Sequence, residues 1–193
     1  MSIAGVWAVE AGSDGMAPTL NDLGPRLCIM GPSNSGKSTL AAAIGRARGL
    51  PVVHLDQLHH QPHTDWVPRP HDAFVALHDA AISAPTWVIE GNYSRTVPQR
   101  LNRATGLILL DLNTLGCLAR YLRRTLFEND RRGGLDGARE RVTWAMVHHI
   151  AIVQRHSRRR NAAMFDDSVL PKRHLATPVA LAGFYRDEGL SRG

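Results

Sequence analysis

Lysine is almost missing from this chain: of its 23 basic residues, all but Lys37 and Lys172 are arginine. Cysteine is as scarce. Cys28 and Cys117 are too few for a disulfide framework, so a reducing compartment is expected. No apolar run approaches the length of a membrane-crossing helix. Residues 1–24 lack the basic start and apolar stretch of a secretory leader, and a cytoplasmic protein is expected. Internal repeats and low-complexity tracts are missing too. What remains is ordinary for a globular protein: 44% apolar and 21% charged residues over 193 positions. That excludes a mostly disordered chain and is enough for one large domain with a real core.

The net charge of +6 is not spread evenly. Residues 120–160 hold 11 arginines against four acids, a balance of +7, so the rest of the chain sums to −1. Arginine suits planar, bidentate contacts with phosphate and carboxylate. No DNA-reading motif accompanies the cluster, so nucleic acid is not an expected partner. An arginine-for-lysine habit explains much of the composition. It does not explain the clustering, nor the lysine kept at position 37.

Residues 1–24, punctuated by Gly5, Gly12, Gly15, Pro18 and Gly24, read as a flexible tail, and 25–193 as one domain. Short apolar runs predict strands at 26–30, 51–55, 87–89, 107–110 and 173–176. Helical spacing predicts helices at 38–48, 72–83, 114–127, 138–156 and 178–187. Their core faces are expected to carry Leu40, Ala43, Ile44 and Ala47 in the first, and Phe74, Leu77 and Ala81 in the second. Alternating strands and helices imply an α/β fold: a five-stranded parallel sheet with helices on both faces and ligands at the strands' carboxyl ends.

Gly31-Pro32-Ser33-Asn34-Ser35-Gly36-Lys37-Ser38 fits the phosphate-loop pattern at every fixed position, between an expected strand and an expected helix. Such a loop turns successive backbone N–H groups toward phosphate oxygens, with glycine where a Cβ would collide. The helix start adds the positive end of its dipole. Lys37 can reach the β- and γ-phosphates and the Ser38 hydroxyl can ligate Mg²⁺, so residues 31–39, through Thr39, form the expected nucleotide site. Three acids, Asp56, Glu90 and Asp111, follow expected strands and would converge there. A carboxylate so placed can hold Mg²⁺ or its water, or accept a proton from an attacking hydroxyl. A helix-capping role is the alternative, strongest for Asp111. His54, His59, His60 and His63 surround Asp56 in sequence, but their spacing fits no familiar zinc pattern.

These residues carry a family resemblance over roughly 26–190. The chain resembles the P-loop kinases of the nucleoside-monophosphate-kinase-like group. After the phosphate loop comes Trp87-Val-Ile-Glu90-Gly91-Asn-Tyr-Ser-Arg95, similar to the adenylate-kinase run of apolar strand, Asp-Gly and nearby Arg. Leu109-Leu-Asp111 followed by Arg120 and Arg124 resembles that family's strand and lid-base arginines. GPSNSGKSTLA, HLDQLHH, WVIEGNY and RYLRRTLFE are closer still to small bacterial adenylate-kinase-like or "topology modulation" proteins. The chain departs from adenylate kinases in Glu90, in Asn92-Tyr93 and in an Arg95 shifted by one residue. An acid at the place of Asp56 instead resembles shikimate, gluconate and chloramphenicol kinases, where it meets the acceptor hydroxyl.

The resemblance implies a P-loop NTPase fold with an Arg-rich helical lid at about 127–162 and an acceptor segment at about 56–85. It implies an ATP-dependent phosphotransferase using Mg²⁺, with GTP left open. The expected catalytic residues are Asp56, Lys37, Arg120 and Arg124, with Ser38 and Glu90 at the metal. Asp56, His59, Trp66, Arg69, Glu90 and Arg95 are expected around the acceptor. That acceptor is a small-molecule hydroxyl, a metabolite or an antibiotic of chloramphenicol or aminoglycoside type. A nucleoside monophosphate kinase and a nucleotide-gated DNA-binding regulator are the alternatives, and monomer or homodimer stays open.

Overall fold

The computed structural model describes residues 17–113, 116–117 and 154–192. The expected helix at 114–127 and most of the lid lie outside these residues. Five strands, β1 (Arg26–Met30), β2 (Val52–His54), β3 (Trp87–Glu90), β4 (Gly106–Leu110) and β5 (Lys172–Leu175), form one sheet. All neighbours are parallel, in the order β2-β3-β1-β4-β5. The three central strands are apolar almost throughout because helices cover both faces. With β3 on one side of β1 and β4 on the other, successive connections leave the sheet centre in opposite directions. They open a crevice at the carboxyl end of β1.

The helices are α1 (Leu20–Leu23), α2 (Lys37–Arg48), α3 (Leu55–His59), α4 (His71–Ser83), α5 (Val97–Arg103), α6 (Gln154–Asp167) and α7 (Pro178–Asp187). Alternate residues of the central strands feed two cores. Leu27, Ile29, Val88 and Ile108 pack with Leu40 and Ile44 of α2 and Phe184 of α7. Cys28, Trp87, Ile89 and Leu107 pack with Ile82 of α4 and Phe165 of α6 on the other face. Leu40 and Ile44 are fully buried, and each contributes about 1.5–3 kcal/mol by leaving water.

Several expectations shift. Helix α2 buries Leu40, Ala41, Ala43, Ile44 and Gly45, whereas Ala47 is exposed. Gly45 belongs to the packed face because a Cβ there would strike Val52. In α4 the buried stripe is Phe74, His78 and Ile82, and Leu77 is 40% exposed. The stripe follows i, i+4, i+8, which puts a histidine in the core. The second strand is only three residues, because the chain turns straight into α3. From residue 17 on, the expected tail is packed: Thr19 and Asp22 form a capping box, and Leu20 and Leu23 sit in the core.

Candidate active site

The loop between β1 and α2 lies in the crevice. Gly31 has φ +148°, and a Cβ on it would strike the Leu110 carbonyl oxygen of β4. Asn34 and Gly36 are left-handed, with φ 62° and 97°. Gly36 is the N-cap of α2 and makes no side-chain cap bond, so the cap itself leaves the N-terminal N–H groups of that helix open to a ligand. Pro32 and Ser35 are buried, while Ser33, Asn34, Lys37, Ser38 and Thr39 are half-buried. Lys37 folds back over the loop and donates from Nζ to the Pro32 carbonyl at 2.8 Å. The concavity and its lysine fit a polyphosphate.

Glu90 is the last residue of β3, 3% exposed, and it meets the loop directly. Its Oε1 accepts from Ser38 Oγ at 2.9 Å and from His54 Nδ1, at the end of β2, at 2.9 Å. Burial pushes the carboxyl pKa up. The His54 bond, the Lys37 charge and the Ser38 hydroxyl outweigh burial and hold it below the usual carboxylate range. Glu90 is therefore an anion at neutral pH. A hydroxyl and a carboxylate in contact at the loop's end are hard oxygen donors of the kind Mg²⁺ takes.

Asp56 lies in α3, two residues beyond the end of β2, and faces a different neighbour. Tyr93 Oη donates to Asp56 Oδ1 at 2.7 Å. Burial and the nearby Asp56 carboxylate push the Tyr93 phenol far up, so it stays a donor. Tyr93 holds φ 23°, a strained value for a bulky residue. Rings gather around this pair. His59 lies 4.7 Å from Tyr93 and 5.1 Å from Phe74, and His60 lies 5.1 Å from Trp66. His60 Nδ1 donates to the Asp56 carbonyl at 2.9 Å, and its Nε2 lies 3.3 Å from His59 Nδ1. Burial, with His60 adding to it, lowers the His59 pKa and keeps the ring neutral.

The remaining expected residues separate. Trp66 belongs to the ring cluster through His60. Arg69 braces the 60–68 turn, donating from Nε to the Leu58 carbonyl at 3.1 Å. Arg95 is exposed and lines a cleft of about 530 Å³ between α4 and α5, with His71, Asp72, Asp79 and Gln99. Asp111 does not join the loop: its Oδ1 accepts from Arg158 Nε of α6 at 2.7 Å. Arg120 and Arg124 lie outside the described residues. Sequence reasoning missed His54, Asn92, Tyr93, Arg100 and Asn161 as site residues. Asn92 and Tyr93 stand inside the WVIEGNY run and among the chain's departures from adenylate kinases, and those two features were their signal.

Strand order, loop and buried acid together define the P-loop NTPase fold. No family model matches the chain, and no curated protein matches it. Among solved structures, it is similar to a gluconokinase from Sinorhizobium meliloti 1021, with 16% identity and a TM-score of 0.49, over 86% of this chain and 95% of that one. A sugar kinase from Janibacter sp. HTCC2649 shows 15% identity and a TM-score of 0.41, over 82% and 86%. These are likenesses of backbone arrangement.

Proposed function

We propose that the protein is an ATP- and Mg²⁺-dependent phosphotransferase that moves the γ-phosphoryl group to a hydroxyl of a small molecule. The observation that carries this reading is the Ser38–Glu90 bond, which sets a buried, ionised carboxylate against the hydroxyl of the phosphate loop. Ser38 would ligate Mg²⁺, and Glu90 would hold the ion or its water. The ion, when bound, spreads the negative charge of the β- and γ-oxygens. Lys37 would exchange the Pro32 carbonyl for phosphate oxygens.

Asp56 is assigned the acceptor. Tyr93 holds Oδ1 and so fixes the side chain, leaving the second oxygen for the incoming hydroxyl. As the acceptor oxygen bonds to the γ-phosphorus, its proton passes to Asp56 and the bond to the β-phosphate oxygen breaks, releasing ADP. The rings of His59 and Trp66 would wall the acceptor, with Arg69 and Arg95 at its edge. Arg120 and Arg124, on the family resemblance, would neutralise charge on the moving phosphoryl group. A phosphate-bearing acceptor needs guanidinium groups free to face it. Arg100 is buried on backbone carbonyls and the Arg69 Nε is engaged with Leu58, which leaves the exposed Arg95 as the guanidinium best able to meet an acceptor phosphate among the described residues, so the preference for a hydroxyl acceptor rests on Asp56. Metabolites and antibiotics of chloramphenicol or aminoglycoside type all offer such a hydroxyl.

The test is incubation with Mg·ATP and a panel of sugar acids, chloramphenicol, aminoglycosides and nucleoside monophosphates, read as the mass gain of one phosphoryl group. Lys37→Ala abolishes transfer. Asp56→Asn slows it about 10²–10⁴-fold while ATP affinity is retained. Normal transfer by Asp56→Asn removes Asp56 as the base, and a new nucleoside diphosphate reassigns the protein to nucleotide kinases.

A further inference from the structure

Asn92 follows β3 and pairs with the first peptide of the phosphate loop from both sides. Its Oδ1 accepts from Gly31 N–H at 3.2 Å and its Nδ2 donates to the Gly31 carbonyl at 2.9 Å. An amide matched to one residue's N–H and C=O fixes that residue's orientation as a strand partner would. Gly31 is the hinge of the loop, at φ +148°, so its orientation sets where the following N–H groups point.

Asn92 is itself held from behind. Arg100 is fully buried, and its Nη2 donates to the carbonyls of Gly91 and Asn92 at 3.1 and 3.0 Å. Its Nη1 donates to Thr96 Oγ1 at 3.0 Å, and its Nε has no partner among the described residues. A buried guanidinium without a carboxylate is expensive. Here it satisfies carbonyls of the turn that carries both Asn92 and Tyr93.

A third contact comes from α6. Asn161, 1% exposed, donates from Nδ2 to Asn92 Oδ1 at 3.2 Å. Gly31 and Asn161 therefore meet on one oxygen atom. Three residues earlier, Arg158 holds Asp111 at the end of β4, so α6 is also tied to the sheet beside the site.

We propose that Asn92 is a positioning residue for the phosphate loop and that Asn161 ties α6 to it, so that a bound triphosphate and a seated α6 favour each other. This rests on the nucleotide-site reading above. A triphosphate prefers the loop with Gly31 clasped, because only then do the N–H groups converge. Asn161 steadies the clasp, and by linkage the ligand steadies Asn161 and its helix to the same degree.

The full-length protein is titrated with Mg·ATP by calorimetry, and amide hydrogen exchange is followed with and without the ligand. In the wild type, Mg·ATP slows exchange in residues 31–38 and also in 154–167. Asn92→Ala raises the Kd about tenfold. Asn161→Ala raises it about two- to fivefold, keeps the slowing in the loop and loses it in α6. A merely structural Asn161 would lower stability without separating the two segments. Should Asn92→Ala fail to fold, Asn161→Ala carries the test, since it leaves the Gly31 pair intact. Slowing in α6 that is equal in wild type and Asn161→Ala, or missing from both, overturns the coupling alone. A wild type that binds no Mg·ATP overturns the nucleotide-site reading, and the coupling with it.

Discussion

Replacing Glu90 by glutamine separates what this side chain does for the fold from what it does for a metal. Glutamine keeps the size and an acceptor oxygen for both Ser38 and His54, and it removes one negative charge. Two charge-assisted bonds become neutral ones, at a loss of about 1–2 kcal/mol. Against this, a carboxylate only 3% exposed no longer has to be kept ionised away from water, which returns a comparable amount. Folding stability should therefore change by less than about 1 kcal/mol. The metal has no such compensation. Loss of a carboxylate bonded to the hydroxyl proposed as the Mg²⁺ ligand should weaken Mg²⁺ binding about 10–100-fold, or about 1.4–2.7 kcal/mol. The assay is a Mg²⁺ titration of the ATP-bound protein, with urea unfolding of the same sample. An unshifted Mg²⁺ midpoint refutes the reasoning. So does a loss of ATP affinity that is as large in chelator as in Mg²⁺, because the charge would then act on the fold or on the nucleotide directly.

Two further outcomes concern stability. Gly31→Ala should cost about 2–4 kcal/mol in urea unfolding, because it combines a strained backbone with a collision on the Leu110 carbonyl. Gly49→Ala, at φ +63° with open space around it, should cost about 1 kcal/mol, and equal costs would show that the collision is relieved. His78 is fully buried, and burial, aided by the Arg100 charge and opposed by Asp79, lowers its pKa from 6.5. Below that value the unfolded chain binds the proton more readily, so this stability is complete above pH 6.5 and drains away as pH falls through the folded pKa. His78→Leu should flatten the decline in stability between about pH 7 and pH 5, and an unchanged slope removes His78 as its source.

The phosphate loop was legible because its chemistry fixes residues at fixed spacing, and the buried strands because LCIM, WVI and LILL are continuous apolar runs. Glu90 was legible as an acid at a strand end; its contact with Ser38 follows from β1 and β3 being neighbours, an arrangement that no single segment encodes. The misses have different causes. Helix α3 is five residues long and shows no period. Helix α5 begins with a proline in its first turn and buries Arg100, a residue that composition places outside. Asn92, Arg100 and Asn161 act by bonding to backbone or to one another across the fold. Pairings of that kind leave no periodic trace in a sequence, and the same is true of the exchange of Leu77 for His78 on the buried side of α4.

The packed turn at Leu20–Leu23 lies side by side with the last described segment of the chain. Leu20 N–H donates to Glu188 Oε1 at 3.1 Å, Arg173 donates to the Pro18 carbonyl at 3.2 Å, and Leu20, Leu23 and Leu190 share one core. Early and late segments of a fold that meet in this way favour cutting it elsewhere and rejoining it between them by a short linker, without spreading its sheet. The phosphate loop lies at the carboxyl end of β1, whereas the residues that lead into that strand form this junction, so a linker joining the two described segments there would sit at the opposite end of the strand from the loop.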